Sequence, residues 1–432
     1  MHCISYPALE ELKSTVISLD PSSSYADVLA QFQLVEVALA RAKLERAAVE
    51  NRLIPIASLP HEILSHIFKT HRDLHFDFDP WADRIAPTIR VSHVSAKWRD
   101  IALSTASLWT EVSSFPQYTN EFYHTVMHRS REAPLKLTIG VREPRDTHSA
   151  SLLAEFIPSQ THRLLALEIR APMDFIDDHM PALRELSAPR MTWLYLCNTT
   201  PEVDTGGSPP PPQRIFMGGV QSLSHYNAFG FDPRIWPPLS SIEVLKIDYR
   251  DAAARTTHLV LREAALTVYR LYIHLTPRVS STFPAIKMPS LEYINIAALL
   301  SETVMFLEVI EAPLLKSLSL LLHRPGRSIP TFHVHDTTVG KYPGLRTLQL
   351  QGALGSNILP NFPTIRGLLI VDLPHCLAQL GDIFDRNQEA FSTLTPRLSR
   401  ITAPERFKES IEAFSAARRS LGLRVPRYFC CE

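Results

Sequence analysis

Between Leu135 and Ile401 the chain repeats one short phrase: an apolar residue, two others, an apolar residue, one other, and an apolar residue. Proline or a small polar residue usually leads it in. Clear copies are Leu164-Leu167-Ile169, Met191-Leu194-Leu196, Ile242-Leu245-Ile247, Leu291-Ile294-Ile296, Leu315-Leu318-Leu320, Leu345-Leu348-Leu350 and Ile365-Leu368-Ile370, with Leu398-Ile401 shortened at the end. Weaker copies at Leu223-Tyr226-Ala228 and Val268-Leu271-Ile273 fill the two wide gaps, and Leu135-Leu137-Ile139 is a candidate first strand. The steps between final apolar positions, starting from Ile169, are 27, 32, 19, 26, 23, 24, 30 and 20 residues. The last two apolar positions of each copy alternate, which is the signature of a strand with one buried face. One strand per turn puts those residues inward, while the segment after it climbs to the next turn and covers the other side.

Periods of this length around an L-x-x-L-x-L core resemble irregular leucine-rich repeats. Asn198 stands near that family's asparagine position, but most copies lack the asparagine, so the variety is a degenerate one. The same strands scattered through the core of an α/β domain would leave a similar trace. Segments 151–157, 301–310 and 373–384 read as helical returns, and Gly206-Gly207-Ser208 before Pro209 to Pro212 reads as a surface loop. The 34 prolines against 14 glycines in 432 residues fit many brief elements joined by stiff turns, and argue against a glycine-rich phosphate loop.

Upstream lies a different kind of sequence. In Ser58-Leu59-Pro60-His61-Glu62-Ile63-Leu64-Ser65-His66-Ile67-Phe68, proline opens a helix where its missing N–H is not needed, and Glu62 favours the positive end of the helix dipole. Leu59, Ile63, Ile67 and Phe68 recur at helical spacing as one apolar stripe. In Val91 to Ala102 the residues Val91, Val94, Trp98 and Ile101 share a face, with Lys97, Arg99 and Asp100 pointing away, and Leu108-Trp109 closes the segment. Helices this short bury little among themselves and need a partner surface.

Leu-Pro-x-Glu-Ile-Leu-x-x-Ile-Phe followed by Val-Ser-x-Val-x-x-x-Trp and a closing Leu-Trp resembles the F-box, over about Pro55 to Val112. Together with the degenerate repeats, the chain is similar to F-box proteins common in mushroom-forming (basidiomycete) fungi. The connection from Phe68 to Val91 departs from compact members: it is longer and polar, with His71, Asp73, His75, Asp77, Asp79, Pro80 and Trp81. The resemblance implies docking on the Skp1 adaptor, and through it on a cullin, by Leu59, Pro60, Ile63, Ile67, Val94 and Trp98. It implies that the rest of the chain presents an unknown protein substrate to a cullin-RING (SCF) ubiquitin ligase. On the strand face, residues between or flanking the inward positions are the candidate substrate contacts: Tyr195, Lys246, Asp248, Tyr272, His274, Asn295, Gln349 and Gln351. The alternative is a non-catalytic repeat scaffold that binds proteins outside ubiquitination.

The expected architecture is therefore α/β: an N-terminal tail at 1–23, a heptad-like helix at 24–54, a small all-α F-box domain at 55–112, and an irregular leucine-rich-repeat-like solenoid at 113–432. In the helix, Ser24 and Asp27 form a capping-box pattern, and Phe32, Val35, Leu39, Ala42, Val49 and Leu53 fall at three- and four-residue steps interrupted by Arg46. Such a seam serves either a coiled coil with another chain or packing on the chain's own domains.

Catalytic chemistry has no footing in the residue order. His61-Glu62 with His66 misses the zinc-protease pattern because the histidines stand five apart, off one helix face. His71 and His75 beside Asp73, Asp77 and Asp79 lack a second pair of ligands. No nucleophile elbow or Walker loop occurs. The expectation is a chain without catalytic residues, cofactor or metal.

Lys+Arg and Asp+Glu both number 44, so no global field draws in nucleic acid or an anionic membrane, and Arg129, Arg131, Arg142 and Arg145 are interleaved with Glu132, Glu143 and Asp146. Five scattered cysteines (Cys3, Cys197, Cys376, Cys430, Cys431) suit a reducing compartment, cytoplasmic or nuclear. Glu10 and Glu11 sit where a signal peptide would be apolar, and no stretch reads as a membrane span.

Overall fold

The computed structural model describes residues 24–74, 83–114, 118–141, 147–200, 212–230, 235–249, 254–275, 284–322, 341–352, 362–371, 397–420 and 422–431. His75, Asp77, Asp79, Pro80, Trp81, Arg142, Glu143, Arg145, Asp146, the Gly206-Gly207-Ser208 loop, the 373–384 return, Cys3 and Cys376 lie outside the described residues. The fold mixes helices and strands: N-terminal helices, then a compact helical region, then a region of parallel strands with helices between them. The chain divides into two compact units, Met1–Ser113 with Tyr118–Ala133, and Ser114–Gln117 with Pro134–Glu432.

In the first unit, α1 (Tyr25–Leu53) starts where the sequence places a cap. Ser24 Oγ accepts from the Asp27 N–H at 3.4 Å, and Asp27 Oδ2 accepts from the Ser24 N–H at 3.2 Å. The heptad seam divides lengthwise. Ala38 and Ala42 are buried and Val28, Val35 and Val49 are half-buried, whereas Phe32 and Leu39 are 59% and 40% exposed. Small side chains face the covered side because they allow close approach.

The helices that follow are α2 (His61–Leu74), α3 (Ala86–Ser92), α4 (Ala96–Ser104) and α5 (Asn120–Ser130). The sequence reading of Val91 to Ala102 as one helical face is corrected here. His93 ends α3, and Ser95 starts a new helix by accepting the Trp98 N–H on its Oγ at 3.2 Å. With the helix broken, Val91 and Ile101 are buried while Val94 is exposed. The stripe on α2 divides too: Leu64 and Phe68 are buried, and Ile63 and Ile67 point outward.

In the second unit, strands form at every copy of the repeated phrase. They are β1 (Leu135–Gly140), β2 (Leu164–Ala171), β3 (Trp193–Asn198), β4 (His225–Phe229), β5 (Val244–Tyr249), β6 (Arg270–Leu275), β7 (Tyr293–Ala298), β8 (Ser317–Leu322), β9 (Thr347–Gly352), β10 (Gly367–Val371) and β11 (Arg400–Ala403). A further strand, β12 (Arg427–Cys430), follows. Each pairs in parallel with the next in chain order. Leu167, Leu194, Tyr226, Leu245, Leu271, Ile294, Leu318, Leu348, Leu368 and Ile401 all point to one buried face. The register carries equivalent residues from strand to strand, for example Leu318 beside Ile294 and Leu348.

The returns are mixed. The 151–157 segment is helical, and α7 covers Leu300–Val309, where Glu302 Oε2 accepts from the Leu299 N–H at 3.0 Å. Helices not foreseen also form at Met173–His179, at α6 (Ala254–Ala264) and at α8 (Lys408–Ser420). Asn198 closes the turn after β3, its Nδ2 donating to Gly230 O at 2.8 Å. Gly230 has φ 73°, and a Cβ there would meet Asn198 O at 2.7 Å, so only glycine fits.

Glu263 of α6 ties the return side together. It accepts from Arg214 Nη1 at 2.5 Å and Nη2 at 2.8 Å, from Trp236 Nε1 at 3.1 Å and from the Leu239 N–H at 3.1 Å. Burial pushes its pKa up, but these donors and the Arg214 charge outweigh that and hold it below the ordinary carboxylate value. A depressed folded pKa means stability that is full above the unfolded pKa and is lost as pH falls through the folded one. Glu263→Gln is expected to cost about 1–3 kcal/mol at neutral pH. The variant should also show a flatter stability profile than wild type between about pH 7 and pH 3 in urea melts. Parallel profiles would remove the ionised carboxylate from this role.

Candidate functional site

Two surfaces carry the residues singled out in the sequence. The first belongs to the helical unit. Its interior is Leu64, Phe68, Ile101, Ala102, Leu108 and Trp109, all buried. Trp109 Nε1 donates to Ala102 O at 2.7 Å, and the Arg129 guanidinium lies 4.5 Å from the Trp109 ring centre. Arg72, only 3% exposed, donates to Ser107 O at 2.6 Å, pairs with Asp73 at 2.8 Å and reaches Glu111 at 3.6 Å. A charged residue inside a helical core leaves no trace in an apolar pattern, and Arg72 was missed for that reason.

Around this interior sit the six predicted partner contacts. Lys97 Nζ donates to Ala57 O at 2.5 Å and Leu59 O at 3.1 Å, holding the Leu59-Pro60 segment against the start of α4. Ile63 and Ile67, one turn apart on α2, are 48% and 37% exposed, and Val94 in the break before α4 is 58% exposed. Pro60 is exposed, and Leu59 is half-buried. Trp98 is half-buried as well, its ring 4.8 Å from that of Phe68 at 51°. The unit has an apolar interior and leaves a second set of branched aliphatic residues facing out. His61 and His66 are both exposed, His61 Nε2 lying 3.3 Å from Ser104 Oγ.

The second surface is the outer face of the parallel sheet. The registers place Tyr195, Asn227, Lys246, Tyr272, Asn295, Ser319 and Gln349 side by side in one row. Two residues further along each strand, His274 lies beside Asp248, and Gln351 beside Leu321. The predicted contacts thus fall on two adjacent rows of one face. Asp248 differs from the others: it is buried, its Oδ2 accepting from the Gly230 N–H at 3.2 Å and its Oδ1 2.9 Å from His274 Nδ1. It braces the face from within and is not open to a ligand.

Aromatic and cationic groups alternate over the earlier strands. The Arg170 guanidinium lies 4.6 Å from the Tyr195 ring centre and pairs with Glu168, and Tyr195 packs on Trp193 at 5.6 Å and Phe229 at 5.5 Å. Lys246 Nζ stands 4.7 Å over Tyr272, which packs on Tyr293 at 5.3 Å. Burial pushes the Tyr272 hydroxyl pKa up, so it stays a neutral donor. Arg170, Trp193, Phe229 and Tyr293 were not singled out in the sequence, although the same alternation reaches them.

Among the described residues, no three of His, Cys, Asp or Glu group closely enough to hold a metal ion, and no helix is long and apolar enough to cross a membrane.

Residues 56–114 match the family model of the F-box-like domain. No curated protein matches the chain. An F-box-like domain suggests an SCF adaptor role in general and implies Skp1 binding; proteins that carry one are typically non-catalytic adaptors.

Proposed function

We propose that this chain is a substrate-recognition adaptor: its F-box region binds Skp1, and its strand region, an irregular leucine-rich-repeat solenoid, holds a protein substrate for an SCF ubiquitin ligase. One observation carries the reading. Ile63, Ile67 and Val94 stay exposed beside a helical core that is already filled. A cluster of exposed aliphatic residues beside a filled core is what marks a protein–protein contact surface. Leu59, Pro60 and Trp98 complete the proposed contact.

The sheet face supports the second half. Tyr195, Lys246, Tyr272, Asn295 and Gln349 form a row of aromatic, cationic and amide groups suited to a peptide. His274 and Gln351 flank it. The mechanism needs no catalytic group in this chain. Holding a substrate near a ubiquitin-loaded enzyme raises the effective concentration of its lysines. Domain limits of 55–112 for the F-box and 113–432 for the repeats belong to the same proposal.

The test is a pull-down of the full chain with Skp1, wild type against Leu59→Ala/Pro60→Ala. Capture by wild type and loss in a variant with an unchanged circular dichroism spectrum is the expected result. Equal capture by both would remove the F-box reading.

A further inference from the structure

The strand-start rim of the sheet changes character along its length. It begins with mixed charge: Glu243 lies before β5, and Glu292 before β7 pairs with Lys316 before β8 at 2.5 Å. From there the carboxylates stop. Arg346 precedes β9, Arg366 precedes β10, Arg400 opens β11 and Arg427 opens β12. The backbone links them in sequence: the Arg366 N–H donates to Arg346 O at 2.7 Å, the Arg400 N–H to Arg366 O at 3.0 Å, and the Arg427 N–H to Ser399 O at 2.9 Å. All four side chains are exposed, and strands β8 to β12 contain no aspartate or glutamate. Among the described residues none of the four forms an ion pair; Arg400 lies 4.4 Å from the Phe429 ring centre and donates to Thr402 Oγ1 at 3.3 Å.

With neighbouring strands about 4.8 Å apart, the arginines span roughly 15 Å. In a chain whose formal net charge is zero, this is a local surplus. Next to it the outward row is neutral: Ser319, Gln349, Leu369 and Thr402.

We propose that this rim is the docking site for an acidic, carboxylate-rich segment of a protein substrate. The proposal rests on the reading of the sheet as substrate receptor and names the class of substrate. Four exposed guanidinium groups, with no ion pair among the described residues, match carboxylates two bonds at a time, which ammonium groups do not. The Thr402 hydroxyl and the Gln349 amide beside them suit a peptide backbone, whereas the Ser319 hydroxyl is buried and accepts from Asn295 Nδ2 at 3.2 Å. A nucleic acid fits less well. The surplus ends at Glu292, two strands before Arg346, which limits the length of polyanion it can follow. Of the two aromatic rings on these strands, Tyr428 is half-buried with its hydroxyl donating to Ala403 O and Pro404 O at 3.2 Å, and Phe429 is covered by Arg400, so neither offers a base a free stacking face.

The experiment is fluorescence anisotropy on the full chain with a labelled peptide of alternating aspartate and serine. Wild type should bind and weaken as salt rises from about 50 to 200 mM. Arg346→Glu/Arg366→Glu should bind at least about tenfold more weakly, with Skp1 capture unchanged. If that variant does not fold, Arg400→Gln/Arg427→Gln replaces it with the same expectation. No binding by folded wild type, or equal affinity in a folded variant, would overturn the proposal while leaving the Skp1 result standing. Tighter binding of a single-stranded RNA of equal charge would overturn the assignment to a protein segment. Loss of Skp1 capture in wild type would strike the adaptor reading instead.

Discussion

Ile63→Asp with Val94→Asp is expected to abolish the affinity of the full chain for Skp1 while leaving its stability almost untouched. The two side chains are 48% and 58% exposed, so a carboxylate at either position stays in water in the free protein. Exposed substitutions of that kind usually move stability by less than about 0.5 kcal/mol. In a complex the same carboxylates would be buried against apolar surface without a partner. Each lost anchor costs about 2 kcal/mol or more, so the pair should weaken binding at least about a thousandfold. Calorimetric titration with Skp1 and a urea melt of the free variant read the two quantities separately. An affinity within about tenfold of wild type would exclude this face as the contact.

Trp109→Ala is expected to do the reverse, acting on stability first. The ring is 1% exposed, its N–H is satisfied by Ala102 O, and Arg129 lies across its face. Truncation removes the largest buried side chain of the helical unit and leaves Ala102 O without its donor. Tryptophan-to-alanine changes in cores cost about 3–5 kcal/mol. That is a large part of the roughly 5–15 kcal/mol that holds a domain folded. Trp98→Ala should cost much less, because that ring is half-buried and, among the described residues, has Phe68 as its aromatic neighbour. Chemical melts of both variants supply the comparison. Equal destabilisation would mean that burial does not separate the roles of the two tryptophans.

The contrast shows how far the sequence could be read. The strands were legible because leucine and isoleucine at alternate positions have one physical explanation, and the weak copies with Tyr226 and Ala228 were legible because a stacked sheet needs a strand in each gap. β12 was not. Its residues Arg427, Tyr428, Phe429 and Cys430 show no apolar alternation, since an outermost strand covers its neighbour on one side only. The F-box helices were legible as elements, but not which apolar residues faced in. Ile67 and Phe68 look equivalent in a stripe until the break at His93 to Ser95 fixes how the helices turn.

The outward face of the sheet was half legible. Alternation put Tyr195, Lys246, Tyr272, Asn295 and Gln349 outward, and the same rule put Asp248 there. Local spacing contains no information on the Gly230 N–H and His274 that enclose that carboxylate. The rim arginines were invisible for another reason: Arg346, Arg366, Arg400 and Arg427 are far apart in the chain and meet only through the register.

The order of the sheet, in which every strand lies beside its predecessor and its successor in the chain, makes the strand region extensible. Each turn is answerable only to two neighbours, and the lengths between turns already vary from 19 to 32 residues without breaking the register of the buried leucines. A turn can be inserted, lost or exchanged at small cost to the others, since lengthening a connecting loop adds little to the entropy of closing it. On the function proposed above, the substrate surface is open to revision one strip at a time while the F-box-like region stays fixed.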